Sequence, residues 1–318
     1  MKRPPPTRSR EDRAGLVFAG LCAANGAFVP GFAKLTTNEL GGLAVAVFAT
    51  AFAALAALGV LAAKGELAHL FARRTAAPLA AMGALGTGLA FLLFFEGAQR
   101  TSAIEAALCL QIEPVYSLLL ARAVLGHPIT GRRLAAVGGI LAGIGLALDA
   151  RSASGFLGAA LLLATPLAWQ LSHLVALRAL PQVQPRVFSG ARYLVGSVLL
   201  CALWVARGGP AALPPWSALA PQLPVLAFQG VVLSFVGTLL WYETIGRLDL
   251  ARATAIVVPS IPLLSLGASF LLLGEVPSLR QAAGMALTAV GVIAFVTLKD
   301  AAAGETGQAP ETHPPVAA

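Results

Sequence analysis

Residues 103–148 read AIEAALCLQIEPVYSLLLARAVLGHPITGRRLAAVGGILAGIGLAL, and residues 251–296 read ARATAIVVPSIPLLSLGASFLLLGEVPSLRQAAGMALTAVGVIAFV. The second stretch restates the first, 148 residues later. Pro114 falls on Pro262, Ser117 and Leu118 on Ser265 and Leu266, Leu125 and Gly126 on Leu273 and Gly274, Arg132 on Arg280, and Gly143 on Gly291. Each copy reads as an apolar helix interrupted near its middle by proline, a Leu-Gly exit, a short polar turn and a second apolar helix. Duplicated hydrophobic segments with matching Gly/Pro interruptions mark secondary transporters, whose solute site lies near mid-membrane between the repeats.

Composition extends this reading to the whole chain. It is 58% hydrophobic and 11% charged, with a mean hydropathy of +0.81. A soluble protein of 318 residues would expose more charge, so the bilayer is the solvent for most of this one. The net charge of +8 raises nucleic acid as a partner, but the bases are scattered in short loops. They form no basic face with aromatic platforms, which excludes that class. Cys22, Cys109 and Cys201 each lie in an apolar segment without metal-ligand spacing and read as small buried hydrophobes. No metal or cofactor is expected.

A spanning helix needs about 20 mostly apolar residues. Ten stretches qualify, at 14–33, 40–62, 77–97, 102–124, 131–149, 155–177, 188–206, 223–245, 250–273 and 280–298. The expected fold is therefore an all-α integral membrane protein with ten transmembrane helices in a 5+5 inverted repeat. Residues 1–13 form a basic, proline-rich cytosolic tail, 14–150 the first repeat, 151–299 the second, and 300–318 a disordered cytosolic tail. The first helix is too long for a signal-peptide core and reads as a signal anchor. The longest connector, 208–221, brings Trp216 to headgroup depth.

With the N-terminus inside, 17 Lys and Arg residues, Arg192 among them, count as cytosolic. Five face outward: Lys34, Arg100, Arg151, Arg207 and Arg280. The positive-inside rule then places both termini in the cytosol, for a plasma membrane that is most simply a bacterial inner membrane. Five helices are an odd number, so the halves take opposite orientations. Either a monomer or a homodimer fits this pattern.

Ionisable groups within the hydrocarbon are costly and point to function. Glu113 stands near the middle of the fourth helix, directly before Pro114. A carboxylate there can bind a cationic or amine-bearing solute, or carry a proton; a neutral Glu hydrogen-bonded to a neighbouring helix is the alternative. Glu105 and Tyr116 lie about 20° apart on a helical wheel, and Glu113 within about 80° of Glu105, which makes this the helix's polar stripe. Glu105 either contributes to the site or is hydrated at the external mouth. Gln111 points elsewhere and reads as packing glue.

The sixth helix offers Trp169, Gln170 and His173 after Pro166. Trp169 and His173 share a face. His173 suits a proton relay or gate, with a packing role as the alternative, and Trp169 faces either a solute or lipid. Pro259 and Pro262 answer Pro114 on the ninth helix, but Ile261 replaces the acid, so one half alone supplies it. Glu96 and Arg100 end the third helix as Glu243 and Arg247 end the eighth, each pair at ion-pairing spacing. Gly126, Gly143, Gly274 and Gly291 serve turns and close helix contacts, and Pro114, Pro166, Pro259 and Pro262 are the expected kinks.

The run IEPVYSLLLARAVLGHPITGRRLAAVGGILAGIGLAL and its second copy, with Leu273-Gly274-Glu275 intact, resemble the EamA repeat of the drug/metabolite transporter (DMT) superfamily. The resemblance covers about 285 residues. It departs at His127, where the first turn usually carries Glu, and at Asn25, where the first helix often carries Trp. It implies a 5+5 inverted repeat around a central cavity, and export or exchange of small metabolites such as amino acids or of drug-like compounds. The expected function is a secondary transporter, and the expected partners are the solute, a proton and the bilayer. Alternating access would be driven by a proton or by the solute's own gradient. No phosphate-binding GxxxxGK[ST] occurs, so ATP is not expected to drive transport, and an enzyme is not expected because the four histidines are isolated with no HxxxH set. The rival readings are a membrane enzyme acting on lipid or quinone, and a passive channel.

Overall fold

The computed structural model describes residues 8–126, 129–148, 152–180, 183–208, 214–248 and 250–298. His127, the tails 1–7 and 300–318, and the middle of the 208–221 connector lie outside the described residues. Among the described residues the chain is helical, with no strand. In hydrocarbon every backbone N–H and C=O must be satisfied within the segment, and runs this rich in Ala, Leu, Val and Gly do so as helices.

The helices are α1 (Arg8–Leu40), α2 (Gly42–Ala63), α3 (Ala76–Arg100), α4 (Ala103–Val124), α5 (Gly131–Ala147), α6 (Ala153–Ala179), α7 (Pro185–Ala206), α8 (Trp216–Ile245), α9 (Leu250–Leu273) and α10 (Leu279–Thr297). Among the described residues, nine of these helices contain a stretch long and apolar enough to cross a membrane. The remaining one, α5, has 17 residues, at the short end of the spanning range. Two helices exceed their apolar runs. α1 begins at Arg8, inside the stretch read as a tail, and runs to Leu40. α8 begins at Trp216 rather than 223, and Trp216 is exposed.

The halves are built into one another. α1 packs on α8 and α9, while α6 packs on α3 and α4; α2 lies along α7, and α5 along α10. Helices at equivalent places thus exchange partners. The α5–α10 pair runs antiparallel, with reciprocal ties: Arg133 donates to the Leu298 carbonyl at 3.4 Å, and Arg280 to the Leu148 carbonyl at 3.0 Å. Thr130 and Ser278, 148 residues apart, cap the two helices through the N–H of Arg133 and Gln281.

Lipid removes most of the hydrophobic drive between helices, so close approach of small residues does the joining. A Cβ on Gly291 would lie 2.8 Å from the Ile140 nitrogen, and one on Gly284 would touch Ala147 Cβ at 2.7 Å. The side chain of Thr288 leaves no room for one on Gly143. Gly126 and Gly274 close α4 and α9 at φ +71° and +65°, the left-handed region that glycine adopts without penalty.

Of the four prolines expected to bend helices, one accompanies a change of winding. α4 tightens to a 3₁₀ turn over Leu110–Ile112 just before Glu113 and Pro114. α-Helical winding continues through Pro166 and through Pro259 and Pro262. The larger irregularities are six-residue and eight-residue π-helical stretches, Ala84–Leu89 in α3 and Gln229–Val236 in α8. They occupy equivalent places in the two halves, by the offset that relates Glu96–Arg100 to Glu243–Arg247. Both ion pairs form, the first at 2.7 Å.

Candidate functional site

The central contact joins α4 to α6. The 3₁₀ turn and Pro114 carry Glu113 to the face that meets α6, and Gln170 Nε2 donates to Glu113 Oε1 at 2.8 Å. One turn of α4 further on, the Tyr116 hydroxyl donates to the Leu163 carbonyl at 3.0 Å. Trp169 is half-buried, and its enclosed Nε1 has no acceptor among the described residues. His173 follows one turn later and is exposed. Glu113 and Gln170 therefore touch, Tyr116 binds the same pair of helices together, and Trp169 and His173 flank Gln170 on α6.

Glu105 sits elsewhere. Eight residues before Glu113, or about 12 Å along the axis, it completes a capping box at the start of α4. Its carboxylate accepts from the Ser102 N–H at 3.2 Å, and the Ser102 hydroxyl accepts from the Glu105 N–H at 3.1 Å. Gln229 is likewise a helix tie, donating to the Thr36 hydroxyl at 2.9 Å.

Arg192, expected on the cytosolic side and at the start of the seventh apolar stretch (188–206), lies in the eighth position of the 22-residue helix α7, about 10 Å from the helix start. The π-helical stretch of α3 receives it: Arg192 donates to the Gly86 carbonyl at 2.9 Å and to the Thr87 hydroxyl at 3.2 Å. A π turn disrupts the normal i→i−4 ladder and leaves carbonyls for side chains to claim. Gly86 must lack a side chain for this approach, because a Cβ there would stand 2.9 Å from Ser172 Cβ and 3.2 Å from Arg192 Nε. The stretch in α8 is met the same way, with Asn25 of α1 donating to the Val232 carbonyl at 2.9 Å. Arg192 also lies within electrostatic range of His173, Tyr193 and Tyr242. Glu113, Gln170, His173 and Arg192 thus form a polar path from α4 across α6 to α7.

A second polar group gathers around the start of α4. Glu275, in the Leu-Gly-Glu turn after α9, accepts from the N–H groups of Ala103 and Ile104 at 3.2 and 3.3 Å. The exit turn of one half thereby caps α4 of the other. Lys34 donates to the Gln99 carbonyl at 3.0 Å, and Gln99 Oε1 accepts from the Gly42 N–H at 3.0 Å. Lys34 is in electrostatic range of both Glu275 and Glu105. All of Ala103–Cys109 is buried here. Toward the other end of α4, Leu119, Arg122 and Ala123 are exposed, and the segment Glu113–Leu125 packs chiefly on α6. We expect Glu275→Ala to cost about 1 kcal/mol through the lost cap and the lost anion at a helix N-terminus. Ser102→Ala should show a similar loss in detergent-solubilised thermal melts.

Among the described residues no three His, Cys, Asp or Glu side chains gather as a metal site. The profile of the EamA-like transporter family matches residues 13–148 and again residues 156–297. A protein described as a probable terminal-alkyne amino-acid exporter, from Streptantibioticus cattleyicolor, is 27% identical over 256 residues. That alignment covers 80% of this chain and 84% of the relative. One solved crystal structure superposes with a TM-score of 0.60 at 18% identity, covering 92% of this chain and 98% of its own. At that identity the likeness speaks for the fold alone.

Proposed function

The chain belongs to the EamA-like transporter family, and from that premise we propose that it exports a small organic solute by alternating access between its two halves. It is a multi-pass membrane transporter of small metabolites. Ten passes arranged as an inverted 5+5 repeat, with both termini in the cytosol of a plasma membrane, fit the partner exchange between halves and the antiparallel α5–α10 pair.

The observation that carries the proposal is the Glu113–Gln170 contact. It puts the acid of one half against an amide of the other, at the level where α4 changes winding. Gln170 donates a hydrogen bond but cannot neutralise a carboxylate. Glu113 is left to take a proton or the ammonium of a solute, the two exchangeable loads of a coupled carrier. Trp169, with its enclosed indole N–H, and the exposed His173 offer the solute an aromatic wall and polar contacts. Glu105, which completes the capping box at the start of α4, is assigned no solute contact in this proposal. Amino acids head the substrate list, because the S. cattleyicolor relative carries that description.

The test is flux in proteoliposomes under an imposed pH gradient, across labelled amino acids, amines and small drug-like cations. Accumulation above equilibrium, collapsed by a protonophore, supports a proton-coupled carrier. Counterflow without a pH effect supports exchange down the solute's own gradient. A protein that moves no solute faster than empty liposomes, while remaining monodisperse, overturns the carrier reading.

A further inference from the structure

A guanidinium inside a spanning helix calls for an anion, and no carboxylate of the described residues pairs with Arg192. Its hydrogen bonds go to neutral acceptors, the Gly86 carbonyl and the Thr87 hydroxyl, whereas Arg100, Arg186, Arg247 and Arg252 are among the arginines that meet a carboxylate. An unpaired charge within the hydrocarbon is costly, and intramembrane bases are kept where something else compensates them. The two neutral acceptors orient the guanidinium without cancelling its charge. An arginine carries five N–H donors, so the fork retains donors beyond those two bonds. Arg192 is only half-buried, and its neighbours His173 and Tyr242 are an exposed imidazole and a half-buried phenol.

We infer that Arg192, oriented by the π-helical turn of α3, is an anion subsite that takes the carboxylate of the transported solute. The assignment rests on the carrier reading above and extends it from the acid side of the path to the basic side. Charge balance selects the ligand class. One guanidinium matches one monoanion, and a planar carboxylate accepts from its fork in bidentate fashion. A phosphate monoester, near two negative charges, would leave excess charge in the membrane interior. The α3 turn also explains why the base is arginine. Nε reaches Thr87 and a terminal nitrogen reaches Gly86, a division of labour that a lysine ammonium at a single point cannot reproduce.

The experiment compares binding of apolar L-amino acids with binding of the corresponding amino-acid amides, which differ only in the carboxylate. Ligand-induced rises in thermal midpoint of the purified full chain report affinity. Wild type should prefer acid over amide by about tenfold or more, the worth of a charge-assisted hydrogen bond. Arg192→Gln should weaken the acid by about 10- to 100-fold while leaving the amide unchanged. If Arg192→Gln fails to fold, Arg192→Lys decides: it keeps the charge, so a reduced preference for the acid should survive. Equal weakening of acid and amide in the variant that folds would make Arg192 a structural staple and overturn the subsite. So would a wild type that carries amines yet ignores the carboxylate, an outcome that leaves the carrier reading intact. Absence of any flux in the proteoliposome assay would remove both.

Discussion

Glu113→Gln abolishes pH-gradient-driven transport and leaves the folded protein intact. The glutamine side chain is nearly isosteric and can still exchange a hydrogen bond with Gln170, which now holds the carboxylate at 2.8 Å. Pro114 and the 3₁₀ turn of Leu110–Ile112 are untouched, so the thermal midpoint should correspond to a change within about 1 kcal/mol. An amide, however, can neither take up a proton nor pair with an ammonium. Loss of a charge-assisted contact weakens solute binding by about 10- to 100-fold, and coupling to the proton gradient disappears outright. Flux and binding in proteoliposomes, wild type beside variant, separate the two effects. A variant that matches wild type in both would make Glu113 a structural residue at a helix turn. The working groups would then be sought among Trp169, His173 and Arg192.

The largest loss of stability is expected at Gly284. A Cβ there would lie 2.5 Å from the Gly143 carbonyl oxygen, 2.7 Å from Ala147 Cβ and 2.9 Å from the Ala147 nitrogen. None of these atoms belongs to a side chain that can swing aside, so any larger residue must push α10 away from α5. Overpacking of that kind costs about 1–3 kcal/mol, and Gly284→Val should reach the upper end. The reciprocal change, Gly143→Val, meets Thr288 and Gly284 and should behave alike. Gly138 is the control on the same helix: a Cβ there meets nothing within 4 Å, and Gly138→Ala should be neutral or gain a few tenths of a kcal/mol from helix propensity. Thermal melts of the three purified variants would check the order. A stable Gly284→Val would mean that the α5–α10 seam is looser than its geometry implies.

Much of the fold could be read because it is locally encoded. Apolar runs mark the helices, and the 148-residue echo pairs Gly143 with Gly291 and Leu125-Gly126 with Leu273-Gly274. α1 was underestimated at both ends, since Arg8–Arg13 and Thr36–Leu40 continue the helix without continuing its hydrophobicity. At the site, Glu113 and Gln170 were visible as unlikely residues for hydrocarbon. What escaped detection depends on contacts between distant segments. The π-helical turns need a side chain from the other half to satisfy a carbonyl, and nothing near Gly86 in sequence announces Arg192. The same charge was legible only as a topology signal, because a base in the first turns of a helix counts toward the cytosolic side as a loop base does. Glu275 appeared as part of a turn motif, yet its acceptors cap the helix that begins at Ala103. The one usable hint was that two glycines, Gly83 and Gly86, bracket the start of the α3 irregularity, where backbones approach closely.

The exchange of partners between halves also sets an order on synthesis. Gly86 is translated 106 residues before the arginine that answers its carbonyl, and at ~5–20 residues per second the ribosome needs ~5–20 s to supply it. Ala103 and Ile104 wait longer still for Glu275. During that interval the nascent first half sits in the bilayer with its grooves unfilled, and insertion machinery or lipid must shelter it. Truncated or stalled chains should therefore be degraded rather than accumulate as half-transporters.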